Sequence, residues 1–213
     1  MAFEIENVAA QAKEQEDAKV YWGSLTFESY KVKQPWSDFI VDEVMKFEPK
    51  SVLEFGCNVG KNLLVLKERA PATFTAGIDV NAAATAFGRE NGLNLAAGDE
   101  HSLPIMPDQA FDVAYTVSVI DHVATPEAIV RQLARVSKRA ILLLEPWLGQ
   151  EGKVTKNLSR KTGKMINTTP YSYSWDYRRI AAECLPGWSL EEKPFELESN
   201  LGRYYFLYTI TRP

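Results

Sequence analysis

Apolar and polar positions change period several times along this chain. Trp36, Phe39, Ile40, Val44 and Phe47 recur every three or four residues, the spacing of one helix face. Pro35 suits the start of that helix and Pro49 ends it. From Ser51 onward, short apolar runs alternate with helical segments. Strands are predicted at residues 51–55, 74–79, 93–97, 111–117 and 140–145, with helices at 58–69, 81–90 and 126–137. Strands this uniformly apolar are buried on both faces, which indicates a parallel sheet between helices.

The two ends differ. Residues 3–19 predict a polar helix broken at Tyr21-Trp22-Gly23. Residues 149–169 are polar and without period, with lysines at 153, 156, 161 and 164, and read as a mobile loop or an insertion near a site. Residues 174–185 predict a helix that Ser174 caps. Residues 188–197 and 204–211 predict an antiparallel edge pair turning at Asn200-Leu201-Gly202. The expected architecture is doubly wound α/β, with a mainly parallel seven-stranded sheet and an antiparallel C-terminal strand pair. It divides into a helical cap over 1–48 and one α/β domain over 49–213, with an insertion at about 149–173.

Composition narrows the classes. The 213 residues are 46% apolar, enough for a sizeable core, and the net charge of −4 argues against a general nucleic-acid binder. Two cysteines and two histidines make neither a disulfide framework nor a zinc cluster, so no metal is expected. The N-terminus lacks the apolar core of a signal peptide, and no run approaches the roughly 20 apolar residues of a membrane span. A cytoplasmic protein is the expectation.

The stretch Val52-Leu53-Glu54-Phe55-Gly56-Cys57-Asn58-Val59-Gly60-Lys61-Asn62 holds the most information. A strand runs through a glycine turn into a helix, the parts of a nucleotide-type cofactor site. Gly56 and Gly60 let the backbone turn and approach a ligand without a Cβ. The turn is neither G-x-G-x-x-G nor a phosphate loop, and a purely structural turn is the alternative. Asp79 ends the next strand, at the roughly 20-residue spacing of a ribose-binding carboxylate. Capping the following helix is its other possible role, one that Asn81 could fill instead. Ala97-Gly98-Asp99-Glu100 offers Asp99 to an exocyclic amine, and Phe111–Val117 leads into Asp121-His122.

In this order and spacing, the four segments resemble the class I S-adenosylmethionine-dependent methyltransferases, clearly over residues 36–148. The terminal strand pair fits that family's antiparallel finish. The resemblance implies a Rossmann-like fold with S-adenosyl-L-methionine as cofactor and S-adenosyl-L-homocysteine as product. It also implies residue roles. The loop Gly56, Cys57, Asn58, Val59, Gly60 would wrap the methionine moiety, with Glu54 near the methionine amine or supporting the loop. Asp79 would hold the ribose and Val80 pack on adenine. Asp99 would meet the adenine amine, with the Glu100 amide nearby. Thr116 and Val117 would approach the methionine end through their backbone. Cys57-Asn58 departs from the family pattern of a small residue followed by Gly or Thr. Asn tolerates positive φ, so the turn survives. Cys57 reads as a small filler rather than a nucleophile.

Methyl transfer needs an acceptor lone pair in line with the methyl carbon, so the protein mainly positions and sometimes supplies a base. Asp121 and His122 follow the fourth strand, where ligands gather, and His122 is the candidate base. Alternatively, Asp121 caps a turn and His122 packs. Glu145 is expected to face the crevice and bind the acceptor, or to pair with the following lysines, and Trp147 to wall the site. Tyr171 and Tyr173 suit a small-molecule pocket, or equally the packing of the last helix. The lysine run with Arg160 would steer an anionic acceptor or simply be solvated surface. His101 has a structural or gating role, and Tyr21, Trp22, Tyr30 and Trp36 are candidates for a lid. The function expected is methyl transfer to an O or N atom of a small-molecule metabolite. The rivals are a nucleic-acid or protein methyltransferase and a non-catalytic S-adenosylmethionine-binding protein.

Overall fold

The computed structural model describes residues 3–6, 12–158, 164–196 and 204–213. The chain opens with β1 (Phe3–Glu6), α1 (Ala12–Ser24) and α2 (Ser37–Met45). It then alternates β2 (Ser51–Phe55), α3 (Lys61–Arg69), β3 (Phe74–Asp79), α4 (Ala82–Glu90), β4 (Leu95–Ala97), β5 (Phe111–Val117), α5 (Pro126–Val136) and β6 (Ser137–Pro146). Next come β7 (Gly152–Leu158), β8 (Met165–Asn167), β9 (Tyr173–Ser174), α6 (Tyr177–Cys184), β10 (Ser189–Phe195) and β11 (Tyr205–Thr211).

Seven strands form one sheet in the order β10-β11-β6-β5-β2-β3-β4. Strands β2 to β6 are parallel, and β11 and β10 add antiparallel. Alternate residues of each apolar run face opposite layers. Leu53, Ala114, Ile141 and Leu143 pack with Ile129 and Leu133 of α5 and Ile180 of α6. Val52, Val113, Leu142 and Leu144 pack with Ile40 and Val44 of α2 and Leu63 and Leu66 of α3. Both faces are therefore dry, which is why the strand sequences carry no polar alternation. Strand order reverses between β2 and β5, so a crevice opens at their carboxyl ends.

Several expectations need correction. Residues 3–19 are not one helix. Phe3–Glu6 is a strand with alternating burial that pairs with β7, and α1 continues through Tyr21-Trp22-Gly23 instead of breaking there. Residues 149–169, read as a mobile loop or an insertion, hold strands among their described residues: β7 and β8, with β9 beyond them, join β1 in a second, antiparallel sheet. Its edges are polar and short, which hides the alternation. Arg160, Lys161 and the turn at 200–202 lie outside the described residues. Helix α6 starts at Tyr177 and is capped by Asp176, whose carboxylate accepts from the Arg178 and Arg179 amides. Ser174 instead lies buried in β9, where its hydroxyl accepts from the Leu148 amide at 3.1 Å. Helices α2 and α3 begin at Ser37 and Lys61, one and three residues later than expected. Among the described residues, no helix is long and apolar enough to cross a membrane.

Candidate active site

The crevice at the switch point is a cavity of about 910 Å³. One end is built by the glycine turn. The amides of Gly56 and Cys57 both donate to the Ile78 carbonyl, at 2.8 and 3.0 Å. Gly56 sits at φ +76°, and a Cβ there would lie 2.2 Å from a Val119 methyl, so the position admits glycine alone. Asn58 takes φ +48°, and its Oδ1 accepts from the Val59 amide at 3.0 Å. Asp79 staples this turn to the end of β3. Its Oδ2 accepts the Asn58 amide at 2.7 Å and its Oδ1 the Asn81 amide at 2.8 Å. Burial raises the Asp79 carboxyl above its ordinary value, although both amides hold it down. Asn81 caps α4 by accepting from the Ala84 amide, so Asp79 lines the cavity without that duty.

Ile78, Val80, Gly98, Asp99 and Glu100 line the next stretch of wall. Asp99 Oδ1 accepts the His101 amide, and Lys19 of α1 bridges Asp99 at 3.1 Å and Glu100 at 2.8 Å. Burial would raise Asp99, but Lys19 and the His101 amide outweigh it and hold the carboxyl below the usual range. The His101 side chain is 75% exposed and does not line the cavity.

Four residues predicted around the cofactor stand behind the cavity wall. Cys57 packs its buried thiol against Gly77, and Gly60 at φ +76° caps α3 against Leu93 and Leu95. Thr116 is fully buried, while its neighbour Val117 reaches the cavity. Glu54 lies beneath the turn, accepting from Asn62 Nδ2 at 2.7 Å, and Asn62 Oδ1 accepts from Ser37 Oγ at 2.6 Å. Of its two expected roles, support of the loop is the one this geometry serves.

Burial pushes the Glu54 carboxyl up to about 8. A folded value above the unfolded one gives stability that is full below the unfolded value near 4.5 and is lost as pH rises through 8. Glu54→Gln keeps the bond to Asn62 without ionising. Between pH 5.5 and 9, the wild type is expected to lose roughly 3 kcal/mol more stability than this variant in urea unfolding. Equal losses would show that Glu54 ionises freely in the folded protein.

At the other end, β5 runs into Ser118, a non-glycine residue at φ +51°. Its hydroxyl pairs with that of Tyr205 at 2.8 Å and reaches Asp121 at 3.4 Å. The turn Ile120–His122 follows. His122 Nδ1 lies 3.1 Å from the Tyr171 carbonyl, which can only accept, so Nδ1 carries the proton and Nε2 keeps its lone pair. Nε2 lies 3.7 Å from Asp121 Oδ2, and the ring packs on Trp22 with centroids 4.1 Å apart. Burial pushes His122 down to about 4, so the ring is neutral at pH 7. Both His122 and Asp121 line the cavity.

Glu145 does not face the crevice. It is fully buried under the turn, where it accepts from Thr116 Oγ1 at 2.7 Å and from the amides of Val119, Ile120 and Asp121 at 3.1–3.3 Å. No lysine pairs with it among the described residues. Burial raises both Glu145 and Asp121, and the Asp121 charge raises Glu145 further. The two carboxyls therefore titrate together rather than one by one.

Residues 29–192 match the model of the methyltransferase domain family. The chain belongs to that family. Its fold superposes on solved methyltransferases of low sequence identity. One, a SAM-dependent methyltransferase from Aquifex aeolicus, is 20% identical, with TM-score 0.59, over 85% of this chain and 95% of that one. Magnesium protoporphyrin IX methyltransferase from Synechocystis PCC 6803, with bound SAH, is 15% identical with TM-score 0.68, over 93% and 99%. The 1,6-didemethyltoxoflavin-N1-methyltransferase of Burkholderia thailandensis is 10% identical with TM-score 0.70, over 99% and 94%.

In this methyltransferase the remaining predicted contacts divide. Tyr173 lines the cavity. Trp147 does not, since its indole lies 5.5 Å beneath the Arg178 guanidinium. Tyr171 gives its carbonyl to His122 and its ring to Tyr21, with centroids 5.8 Å apart, and also stays outside the lining. Lys153 pairs with Glu14 and Lys156 with Glu4, so these lysines fasten the N-terminal segment to the second sheet. Trp22, Tyr30 and Trp36 line the cavity as lid candidates, and Tyr21 does not. Phe3, Gln15, Ala18, Lys19 and Ser118 also line the cavity, none of them among the residues expected there. The 15, 18, 19, 22 spacing on α1 was a legible helix face. Its polar members made it look like solvated surface.

Proposed function

We propose that this methyltransferase moves the methyl group of S-adenosylmethionine to an O or N atom of a small-molecule metabolite. One observation carries the proposal. A single cavity of about 910 Å³ joins the Gly56–Asp79 end to the His122–Tyr173 end, and α1 and the second sheet wall it. That volume lies within the roughly 300–1,000 Å³ of small-ligand pockets. Two structural neighbours act, by their names, on magnesium protoporphyrin IX and 1,6-didemethyltoxoflavin. In this reading, residues 1–48 cap the methyltransferase domain of 49–213, and the 149–173 insertion builds the acceptor wall.

The residues fit the cofactor. Asp79 presents a fixed, acceptor-only carboxylate to the ribose hydroxyls, and Ile78, Val80 and Gly98 leave an apolar slot for adenine. Gly56 and Asn58 form the wall on the methionine side, and Val117 and Ser118 continue it. Once bound, S-adenosylmethionine supplies an electrophilic methyl carbon on a sulfonium. His122 Nε2 takes the proton that leaves the acceptor O–H or N–H as the new bond to carbon forms and the C–S bond breaks. Asp121, 3.7 Å away, steadies the imidazolium that results. The positive charge that leaves the sulfonium thus reappears on His122.

His122→Ala is expected to lower kcat about 100-fold while the affinity for S-adenosylhomocysteine stays unchanged. Because His122 is held near 4, its own protonation should leave wild-type kcat unaffected between pH 6 and 8, where any change follows the raised carboxyl of Asp121. Unchanged turnover in the variant would remove His122 from the chemistry. The function itself is tested by measuring S-adenosylhomocysteine release with pooled small-molecule acceptors, transfer RNA and denatured protein. Turnover confined to the small-molecule pool is expected. Turnover on RNA that weakens steeply with salt would contradict it.

A further inference from the structure

Helix α1 contributes a glutamine whose side chain is half used. Gln15 is 8% exposed and lines the cavity. Its Oε1 accepts the Ala124 amide at 2.8 Å, two residues beyond His122. A backbone N–H must be met by an oxygen, so the amide orientation is fixed and Nε2 points the other way. Among the described residues, Nε2 has no hydrogen-bond partner. A nearly buried amide held by one end offers its two N–H donors to whatever fills the cavity.

The charge around the cavity is equally informative. Lys19 is the one Lys or Arg among its described lining residues, and it is already bound to Asp99 and Glu100. The second sheet contributes Phe3, Val154, Asn157 and Tyr173, and Thr168 follows β8, all uncharged side chains. An anionic acceptor there would lose its hydration with no cation to replace it, and would face Asp121. Trp22 and Tyr173 add aromatic surface.

We propose that the methyl acceptor is an uncharged, flat molecule that offers a carbonyl or ring nitrogen to the Gln15 amide and its O–H or N–H to His122. Gln15 is then a substrate-positioning residue that selects for that donor–acceptor pattern. The proposal rests on the methyltransferase reading of the cavity. It also sets aside the first of the two readings of the lysine segment, steering of an anionic acceptor, since Lys153 and Lys156 are paired with Glu14 and Glu4.

The test titrates the full chain, saturated with S-adenosylhomocysteine, with 2-hydroxyquinoline and with 2-hydroxyquinoline-4-carboxylate. The neutral probe should bind at least about tenfold more tightly, because the carboxylate of the other gives up its hydration with no free cation to replace it. Gln15→Glu keeps an oxygen for Ala124 but removes the donors, and Gln15→Met keeps the bulk. Each should lose the neutral probe at least about tenfold while S-adenosylhomocysteine affinity stays within about twofold. Equal or tighter binding of the carboxylate, binding of neither probe, or unchanged probe affinity in both variants would overturn the proposal. Loss of S-adenosylhomocysteine in the variants would move Gln15 to the cofactor end and overturn it too. Failure of the wild type to bind S-adenosylhomocysteine would be a different result, since it would sink the methyltransferase reading itself.

Discussion

Asp79→Ala is expected to weaken binding of S-adenosylhomocysteine about 100-fold or more. In the proposed reading the variant loses two acceptors for the ribose hydroxyls, each a charge-assisted bond of about 1.5–3 kcal/mol. It also frees the Asn58 and Asn81 amides from the carboxylate that staples the turn, so Asn58 at φ +48° loses its tie to the end of β3. Since about 1.4 kcal/mol is a tenfold change, two lost bonds alone reach the expected range. Asp79→Asn keeps one acceptor and the shape, and should lose about tenfold. Calorimetric titration reads both. Affinity unchanged in the alanine variant would mean that the ribose binds elsewhere.

The second large effect falls on stability. Glu145→Ala should destabilise the protein by about 3–5 kcal/mol in urea unfolding, the scale of breaking a buried charged network. It strips the partner from the Thr116 hydroxyl and from three consecutive amides, Val119 to Asp121, in a site closed to water. Glu145→Gln retains an acceptor and the volume, so about 1–2 kcal/mol is expected. Because the same turn carries His122, the alanine variant should also lose turnover beyond its loss of folded protein. A change under about 0.5 kcal/mol in Glu145→Ala would show that water satisfies those amides.

Much of this was legible in the sequence because it depended on local rules. The apolar runs at Val52–Leu53, Val113–Ala114 and 141–144 place a residue on each sheet face, so the doubly covered parallel sheet could be read directly. The positive φ at Gly56 and Asn58 followed from residue type, as did the cap at Asn81. Glu145 and Trp147 were misplaced because a strand end fixes where a residue lies but not which way its side chain turns. Glu145 is drawn inward by three amides that no pattern reveals. The second sheet was hidden because β1 and β7 are separated by almost the whole domain, and only their pairing makes four residues at Phe3–Glu6 a strand. Gln15 escaped notice for the same reason, since its partner Ala124 is distant in sequence.

The most direct test of the central claim is a calorimetric titration of the full chain with S-adenosylmethionine and S-adenosylhomocysteine, with NAD as control. Micromolar binding of the two sulfur ligands and none of NAD is the predicted result. Absence of binding by both sulfur ligands, in protein shown to be folded, would contradict it.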